Sequence, residues 1–134
     1  MFSPAMRAQL EAAGLSLNPP RVVGNGSLGS RDPTIASFVQ QPLVCIWADA
    51  RIDTPNWLVT TVSTLRPEDS ATVDALLATY TTTNSEQLGG RRYLIDEGTW
   101  GESHLIRDGI WFATAWNNVG PDGYTADLVA HVFG

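Results

Sequence analysis

Two residues in the last third of the chain have the types that acid–base chemistry requires. Glu102 and His104 stand two positions apart in a segment with strand character, so both side chains point to the same face of the strand. A carboxylate beside an imidazole orients the ring as a general base. A hydrolase also needs a nucleophile, but Ser103 points to the opposite face. The pair is therefore a catalytic candidate, and the structural alternative is an ordinary polar pair on a partly exposed strand face.

Aromatic and arginine side chains form the second set of candidates. The chain has 5 tryptophans, and an indole offers a binding partner a large rigid surface with one hydrogen-bond donor. Trp57 and Trp100 lie beside turn sequences. Trp111 and Trp116 lie on opposite faces of one strand, so both cannot be in the same core. We therefore expect some indoles outside the deep core. Arg91 and Arg92 follow the glycine pair Gly89-Gly90, and they favour either an anion site or a solvated pair of arginines. The predicted binding residues are Trp57, Trp100, Trp111, Arg91 and Arg92.

Other motifs carry less chemistry. Residues 24–29 match the glycine pattern of dinucleotide sites, but no strand precedes them and no helix follows, so a loop is predicted. The single Cys45 lies among apolar residues, which predicts a buried thiol and excludes an internal disulfide. Two separated histidines and one cysteine do not have a zinc spacing, and no calcium loop is recognisable. We therefore predict neither a metal ion nor a cofactor.

Composition excludes further classes of function. The 134 residues include 8 basic and 14 acidic side chains, a net charge of -6. Nucleic-acid binding depends on clustered positive charge, so we expect no nucleic-acid partner. All basic side chains are arginines, which excludes Schiff-base chemistry on lysine. The longest apolar stretch, residues 43–48, is far shorter than the roughly 20 residues of a membrane helix, so no transmembrane segment is predicted.

Hydrophobic periodicity and turn signals predict the elements that position these residues. We expect helices over 4–13, 67–80 and 124–133, and strands over 43–49, 57–65, 91–96, 102–107 and 110–116. Asp108-Gly109 is a two-residue hairpin signal, which places Leu105 opposite Phe112. The predicted fold is α+β, an antiparallel sheet of about five strands with helices packed mainly on one face. The length indicates one domain over residues 1–134, with a flexible Gly/Pro-rich loop over 16–31.

Three stretches together resemble a known group of domains. They are Leu43-Val44-Cys45-Ile46-Trp47, residues 57–65 with the following helix, and Arg107-Asp108-Gly109-Ile110-Trp111 with the segment 124–128. Over residues 43–133 they resemble the compact α+β domains of actinobacterial cell-envelope lipoproteins and sensor domains. The resemblance implies a non-catalytic domain that binds ligands or proteins outside the membrane. The chain departs from that group in lacking a lipobox and a second cysteine, and no functional residue carries over.

Three functions follow from these observations. The first is a non-enzymatic domain that recognises a protein or a small envelope ligand through exposed aromatic residues. The second is a small acidic immunity or inhibitor protein that neutralises a basic partner. The third is a small hydrolase or isomerase that uses the Glu102 and His104 pair. Since the N-terminus lacks a signal-peptide pattern, the expected location is cytoplasmic, or extracytoplasmic if the chain is a mature fragment.

Overall fold

A seven-stranded antiparallel sheet organises the molecule. The computed structural model describes residues 2–17, 30–48, 56–119 and 123–134. The strands lie in the order β1-β2-β3-β7-β6-β5-β4, and each neighbouring pair is antiparallel. The bounds are β1 Ser16–Leu17, β2 Gln40–Ala48, β3 Trp57–Thr64, β4 Thr83–Gln87, β5 Gly90–Asp96, β6 Trp100–Arg107 and β7 Ile110–Asn117. The helices in this part of the chain are α1 Pro4–Ala12, α2 Pro33–Ala36, α3 Pro67–Tyr80 and α4 Tyr124–Phe133.

Three of these helices confirm the predictions to within one residue. At the start of α1, the Ser3 hydroxyl accepts a hydrogen bond from the Met6 amide at 3.1 Å, which caps the helix before its first-turn proline. The acidic side chains of Glu68 and Asp69 lie in the first turn of α3, where the helix dipole favours negative charge. Local signals therefore fix where these helices begin and end.

The β6–β7 hairpin also forms as predicted. Asp108 and Gly109 have φ angles of 51° and 77°, the left-handed conformation that a tight hairpin turn requires. This turn places Leu105 opposite Phe112 and, one position further, Ile106 opposite Trp111. Because side chains alternate along a strand, these two pairs point to opposite faces of the sheet.

Helices cover both faces of the sheet, so the prediction of helices mainly on one face is wrong. Leu105 and Phe112 pack in a core with side chains of α1 and α4. Trp111 packs in a second core with Ile35 of α2 and with Val73 and Leu77 of α3. The physical reason is that β6 and β7 each bury five consecutive residues. Such strands need a covering layer on each side.

The prediction of about five strands is also wrong. The missed strand β1 has only two residues, inside the predicted loop over 16–31. Every side chain of β4 is exposed, so its sequence shows no alternation of apolar and polar residues. Pairing with β5 holds β4 in place, from Thr83 opposite Leu94 to Gln87 opposite Gly90. The glycine motif at 24–29 and most of the predicted loop over 16–31 lie outside the described residues.

Candidate functional site

The predicted pair, Glu102 and His104, lies on the face of the sheet that α2 and α3 cover. Their neighbours across β7 are Ala115 and Ala113, whose small side chains leave room for a carboxyl group and an imidazole ring. Ser103 points to the opposite face, as predicted. Both side chains of the pair are fully buried. The alternative of a partly exposed strand face is therefore wrong, because the α3 layer closes over these positions.

The hydrogen-bond partners of His104 determine its tautomer. The Trp111 indole can only donate, and its Nε1 lies 3.1 Å from His104 Nδ1. Nδ1 is therefore the unprotonated acceptor, so Nε2 carries the proton and donates to Glu102 Oε1 at 2.9 Å. This imidazole can take a proton from a substrate only if the hydrogen bond from Trp111 breaks. His104 thus links a buried carboxylate to a buried indole.

The second carboxylate oxygen of Glu102 accepts two more hydrogen bonds. The Tyr80 hydroxyl donates to Oε2 at 2.6 Å, and the Arg31 backbone amide donates at 2.8 Å. Burial raises the pKa of this carboxyl, but the hydrogen bonds from His104, Tyr80 and Arg31 outweigh burial and hold the pKa below its usual value. We call Glu102, His104, Trp111, Tyr80 and Arg31 the Glu102 network.

The Glu102 network joins separate parts of the fold. It connects the end of α3, the segment before α2, and the strands β6 and β7. Glu102 and His104 are fully buried, and neither lines the clefts that contain Arg92, Asn84 or Leu88. Within that part of the chain, the catalytic candidates are therefore brought together as a buried, hydrogen-bonded group.

Trp57 and Trp100 hold a side chain of the protein itself. The Arg31 guanidinium lies between the two indoles, with its carbon 4.9 Å and 4.8 Å from the ring centres. Its two terminal nitrogens donate to the carbonyl oxygens of Gly101 and Trp116 at 2.9 Å and 2.5 Å. Both indoles are half-buried, in line with their expected places outside the deep core. Their ring faces toward Arg31 are therefore already occupied.

The other predicted binding residues, Trp111, Arg91 and Arg92, lie in three different environments. Trp111 is fully buried, so its prediction as an exposed binding residue is wrong, because α3 covers that face of β7. Arg91 is exposed, lies over the Tyr93 ring, and pairs with Asp74 of α3 at 3.5 Å. Arg92, the next residue of β5, points to the opposite face. The alternative of a solvated arginine pair therefore fails for Arg92.

Arg92 lines a cleft of about 230 Å³ between the start of α4 and the strands β3, β7, β6 and β5. We call it the Arg92 cleft. The strand register arranges the residues on this face of the sheet in three parallel rows, and the cleft lies over part of them. The first row contains Leu58, Trp116, Gly101 and Asp96, the second Thr60, Thr114, Ser103 and Leu94, and the third Val62, Phe112, Leu105 and Arg92. The first residues of α4, Gly123 to Thr125, line the cleft from above.

The cation in this cleft lacks an acidic partner. Arg92 is half-buried, and its Nε and Nη1 donate to Ser103 Oγ at 3.2 Å and to Gln87 Oε1 at 3.1 Å. Among the described residues, no carboxylate lies within ion-pair distance of its guanidinium. Burial lowers the pKa of Arg92 without giving it a countercharge. A partly buried charge without a counterion is unfavourable, so an anion is the complementary group at the Arg92 end of the cleft.

Hydroxyl groups continue from Arg92 across the floor of the cleft. Ser103 Oγ lies 3.1 Å from Thr125 Oγ1, and Thr60 Oγ1 lies 3.0 Å from Thr114 Oγ1 and 2.7 Å from the Tyr124 hydroxyl. Burial raises the pKa of Tyr124, which keeps this hydroxyl protonated. These groups can each donate or accept, so they can reorient toward a polar ligand.

The start of α4 adds backbone donors beside this row of hydroxyls. Gly123 occupies the capping position with a φ of 78°, and no side chain of a described residue caps the helix. The first-turn amides of a helix have no acceptor inside the helix, and the helix dipole favours an anion there. Arg92 and the start of α4 thus both favour a negatively charged group in the cleft.

Sequence reasoning found Arg92 but missed the rest of the cleft. Trp116 appeared only as the partner of Trp111 on its strand, Ser103 only as a hydroxyl that faces away from Glu102 and His104, and Thr114 was not singled out. One signal was available, since a glycine without a capping side chain precedes the predicted helix at Tyr124. The strand order that brings four strands under this helix has no local signal.

The structure also bears on the remaining predictions. Within the described ranges, no three His, Cys, Asp or Glu side chains lie close enough to hold a metal ion. None of the helices described is both long and apolar enough to cross a membrane. Many carboxylates are dispersed in local arginine pairs, such as Glu11 with Arg7, Asp69 with Arg66 and Asp74 with Arg91. This dispersal gives no support to a single acidic binding surface.

Comparisons with known proteins give no relative from which a function could be transferred. The chain matches no protein-family model, and no curated protein or solved structure is significantly similar to it. The resemblance to cell-envelope lipoprotein and sensor domains stays an expectation.

Proposed function

We propose that this chain is a non-enzymatic binding domain for a small organic anion, which it holds in the Arg92 cleft. The observation that carries the proposal is Arg92, a half-buried cation that lines the cleft and has no carboxylate of the described residues within ion-pair distance. An arginine offers a carboxylate or phosphate two parallel hydrogen bonds. A bound anion would supply the countercharge that Arg92 lacks.

The other groups around the cleft support the same ligand. Ser103 and Thr125 provide hydroxyl donors next to the guanidinium, and the uncapped start of α4 provides backbone donors. Leu58, Leu94 and Trp116 provide apolar and aromatic surface for the rest of the ligand. The volume of the cleft corresponds to that of about eight water molecules, which fits a ligand of similar small size.

The proposal retains binding through an aromatic residue but changes which residue is used. Trp57 and Trp100 already contact Arg31, and Trp111 lies in the core. Trp116 is half-buried and lines the cleft. An aromatic wall beside a single cation suits an amphiphilic small molecule better than a flat protein surface.

Calorimetric titration with two probes, hexanoate and inorganic phosphate, tests the proposal. We expect saturable binding of at least one probe to the wild-type chain. Arg92→Gln should weaken that binding at least tenfold, since a charge-assisted hydrogen bond contributes about 1.5–3 kcal/mol. Arg91→Gln is the matched control, because Arg91 is the neighbouring arginine and faces away from the cleft. Its affinity should stay within twofold of the wild type.

Two outcomes would refute the proposed function. One is the absence of saturable binding for both probes. The other is equal probe affinity in the wild type and Arg92→Gln, provided that circular dichroism shows both proteins to be folded. Equal weakening by Arg91→Gln and Arg92→Gln would also count against the cleft, since it would indicate only a general effect of charge.

A further inference from the structure

The Arg92 cleft has opposite charges at its two ends. We propose that its ligand is zwitterionic, with an anionic group at Arg92, a cationic group at Asp96 and an apolar middle. This inference rests on the proposed function and adds the ligand class. It starts from strand β5, where Arg92, Leu94 and Asp96 stand at alternate positions and all line the cleft.

The spacing along β5 sets the dimensions of such a ligand. The Cα atoms of Arg92 and Asp96 are four residues apart, about 13 Å at the rise of an extended strand. The guanidinium leans over the middle row, where its Nε contacts Ser103, and this shortens the distance between the charges. A ligand whose charged groups are less than about 13 Å apart therefore fits between the two ends.

The carboxylate of Asp96 has no positively charged partner among the described residues, so an anion alone would not satisfy both ends of the cleft. Its Oδ1 accepts a hydrogen bond from the Gly98 amide at 3.0 Å. In the described part of the chain, no arginine lies within ion-pair distance of Asp96. A monoanion bound at Arg92 would thus face an uncompensated carboxylate across the cleft, and like charges repel. A cationic group on the ligand changes this repulsion into attraction.

The row that contains Asp96 is built to receive a cation. Asp96 is paired with Gly101 across β6, and Gly101 is paired with Trp116 across β7. A Cβ atom at Gly101 would lie 2.3 Å from Trp116 Cζ2, so only glycine lets the indole lie against the backbone there. An aromatic ring and a carboxylate side by side form a site for an ammonium group, through cation–π and ionic attraction.

The two ends are joined by apolar side chains. Leu94 lies between Arg92 and Asp96 on β5, and Leu58 lies beside Trp116 in the first row. A ligand middle of methylene groups or an aromatic ring would cover these surfaces. The structure thus assigns a linear ω-amino acid type of ligand rather than a compact anion.

Three probes that differ only in their end groups test this inference. 6-Aminohexanoate carries both charges, hexanoate only the anion and hexylamine only the cation. The charges of 6-aminohexanoate are about 8 Å apart when its chain is extended. By calorimetry we expect the wild-type chain to bind 6-aminohexanoate at least fivefold more tightly than hexanoate, and hexylamine most weakly.

Asp96→Asn separates this inference from the proposed function. The variant should lose the preference for 6-aminohexanoate and bind hexanoate at least as tightly as the wild type, because the repulsion is removed. Glu97→Gln is the matched control, since Glu97 is exposed, adjacent in sequence and not part of the cleft lining. This control should keep the wild-type preference.

The outcomes are distinguishable. Equal affinities for 6-aminohexanoate and hexanoate, with both dependent on Arg92, would overturn the zwitterion and leave the anion-binding function intact. A preference that survives in Asp96→Asn would also overturn it. Failure of both hexanoate and inorganic phosphate to bind would instead overturn the proposed function itself.

Discussion

Replacing Glu102 with glutamine gives the sharpest test of how the buried network stabilises the fold. The amide keeps the shape of the carboxylate but can accept hydrogen bonds at one atom only. If that oxygen faces His104, the NH₂ group faces the Arg31 amide. If it faces Arg31, the NH₂ group faces the His104 Nε2 proton. His104 cannot move its proton to Nδ1, because the Trp111 indole N–H already donates to that nitrogen. One buried donor therefore loses its acceptor in either orientation of the amide.

The size of the effect follows from these contacts. An unsatisfied buried donor costs about 1–3 kcal/mol, and the remaining hydrogen bonds lose a charged acceptor. Removing a carboxylate from a fully buried position offsets part of this loss. We therefore expect Glu102→Gln to lower the free energy of unfolding by about 2–3 kcal/mol, roughly a 30- to 150-fold change in the folding equilibrium.

Urea unfolding at pH 7, followed by tryptophan fluorescence, measures this loss. Glu97→Gln is the control, because an exposed carboxylate in the same region should change the free energy of unfolding by no more than about 0.5 kcal/mol. The Glu102 pKa is lower in the folded chain than its ordinary 4.5. Its stabilisation is therefore present above pH 4.5 and is lost as pH falls through the folded value, so the wild type and Glu102→Gln should converge in acid. Equal stability at pH 7, or a difference that does not change with pH, would refute the reasoning.

Three further predictions concern other contacts. Arg31→Lys should lower the free energy of unfolding by about 1–2 kcal/mol in urea titrations, because lysine cannot stack flat between two indoles and donate to two carbonyls; stability like the wild type would contradict this. Gly101→Ala should displace the Trp116 indole or unfold the chain, since the new Cβ would lie 2.4 Å from the Ile95 carbonyl oxygen; an unchanged near-ultraviolet circular dichroism spectrum would contradict it. Burial raises the pKa of the Cys45 thiol, so alkylation at pH 7 should be slow in buffer and fast in urea; equal rates would show an accessible thiolate.

Local sequence signals predicted those elements that local interactions form. The helix from Pro67 to Tyr80 has an acidic first turn and an apolar face, and the hairpin at Asp108-Gly109 needs only two residues in left-handed conformations. Strand β4 could not be predicted in this way, because its five exposed polar residues carry no hydrophobic pattern. Its conformation comes from pairing with β5, which is a tertiary interaction.

The candidate sites show the same division between local and long-range information. That Glu102 and His104 share a face follows from the strand period, and the structure confirms it. Their burial depends on α3, whose Tyr80 reaches Glu102 from 22 residues away. The Arg92 cleft depends even more on long-range order, because its lining comes from four strands and the start of α4. Side-chain types alone therefore predicted an arginine of interest without the site around it.

The pairing of β3 with β7 joins strands that are far apart in the sequence. On one side of this pairing β2 and β3 are neighbours in sequence, and on the other β4 to β7 form a continuous meander. Leu58 and Trp116 must then meet across 58 residues, which makes closing the centre of the sheet the entropically costly step. These two residues also line the Arg92 cleft, so the site exists only after that step. A ligand that bridges Leu58 and Trp116 would therefore stabilise the pairing of the two strands that are far apart in sequence.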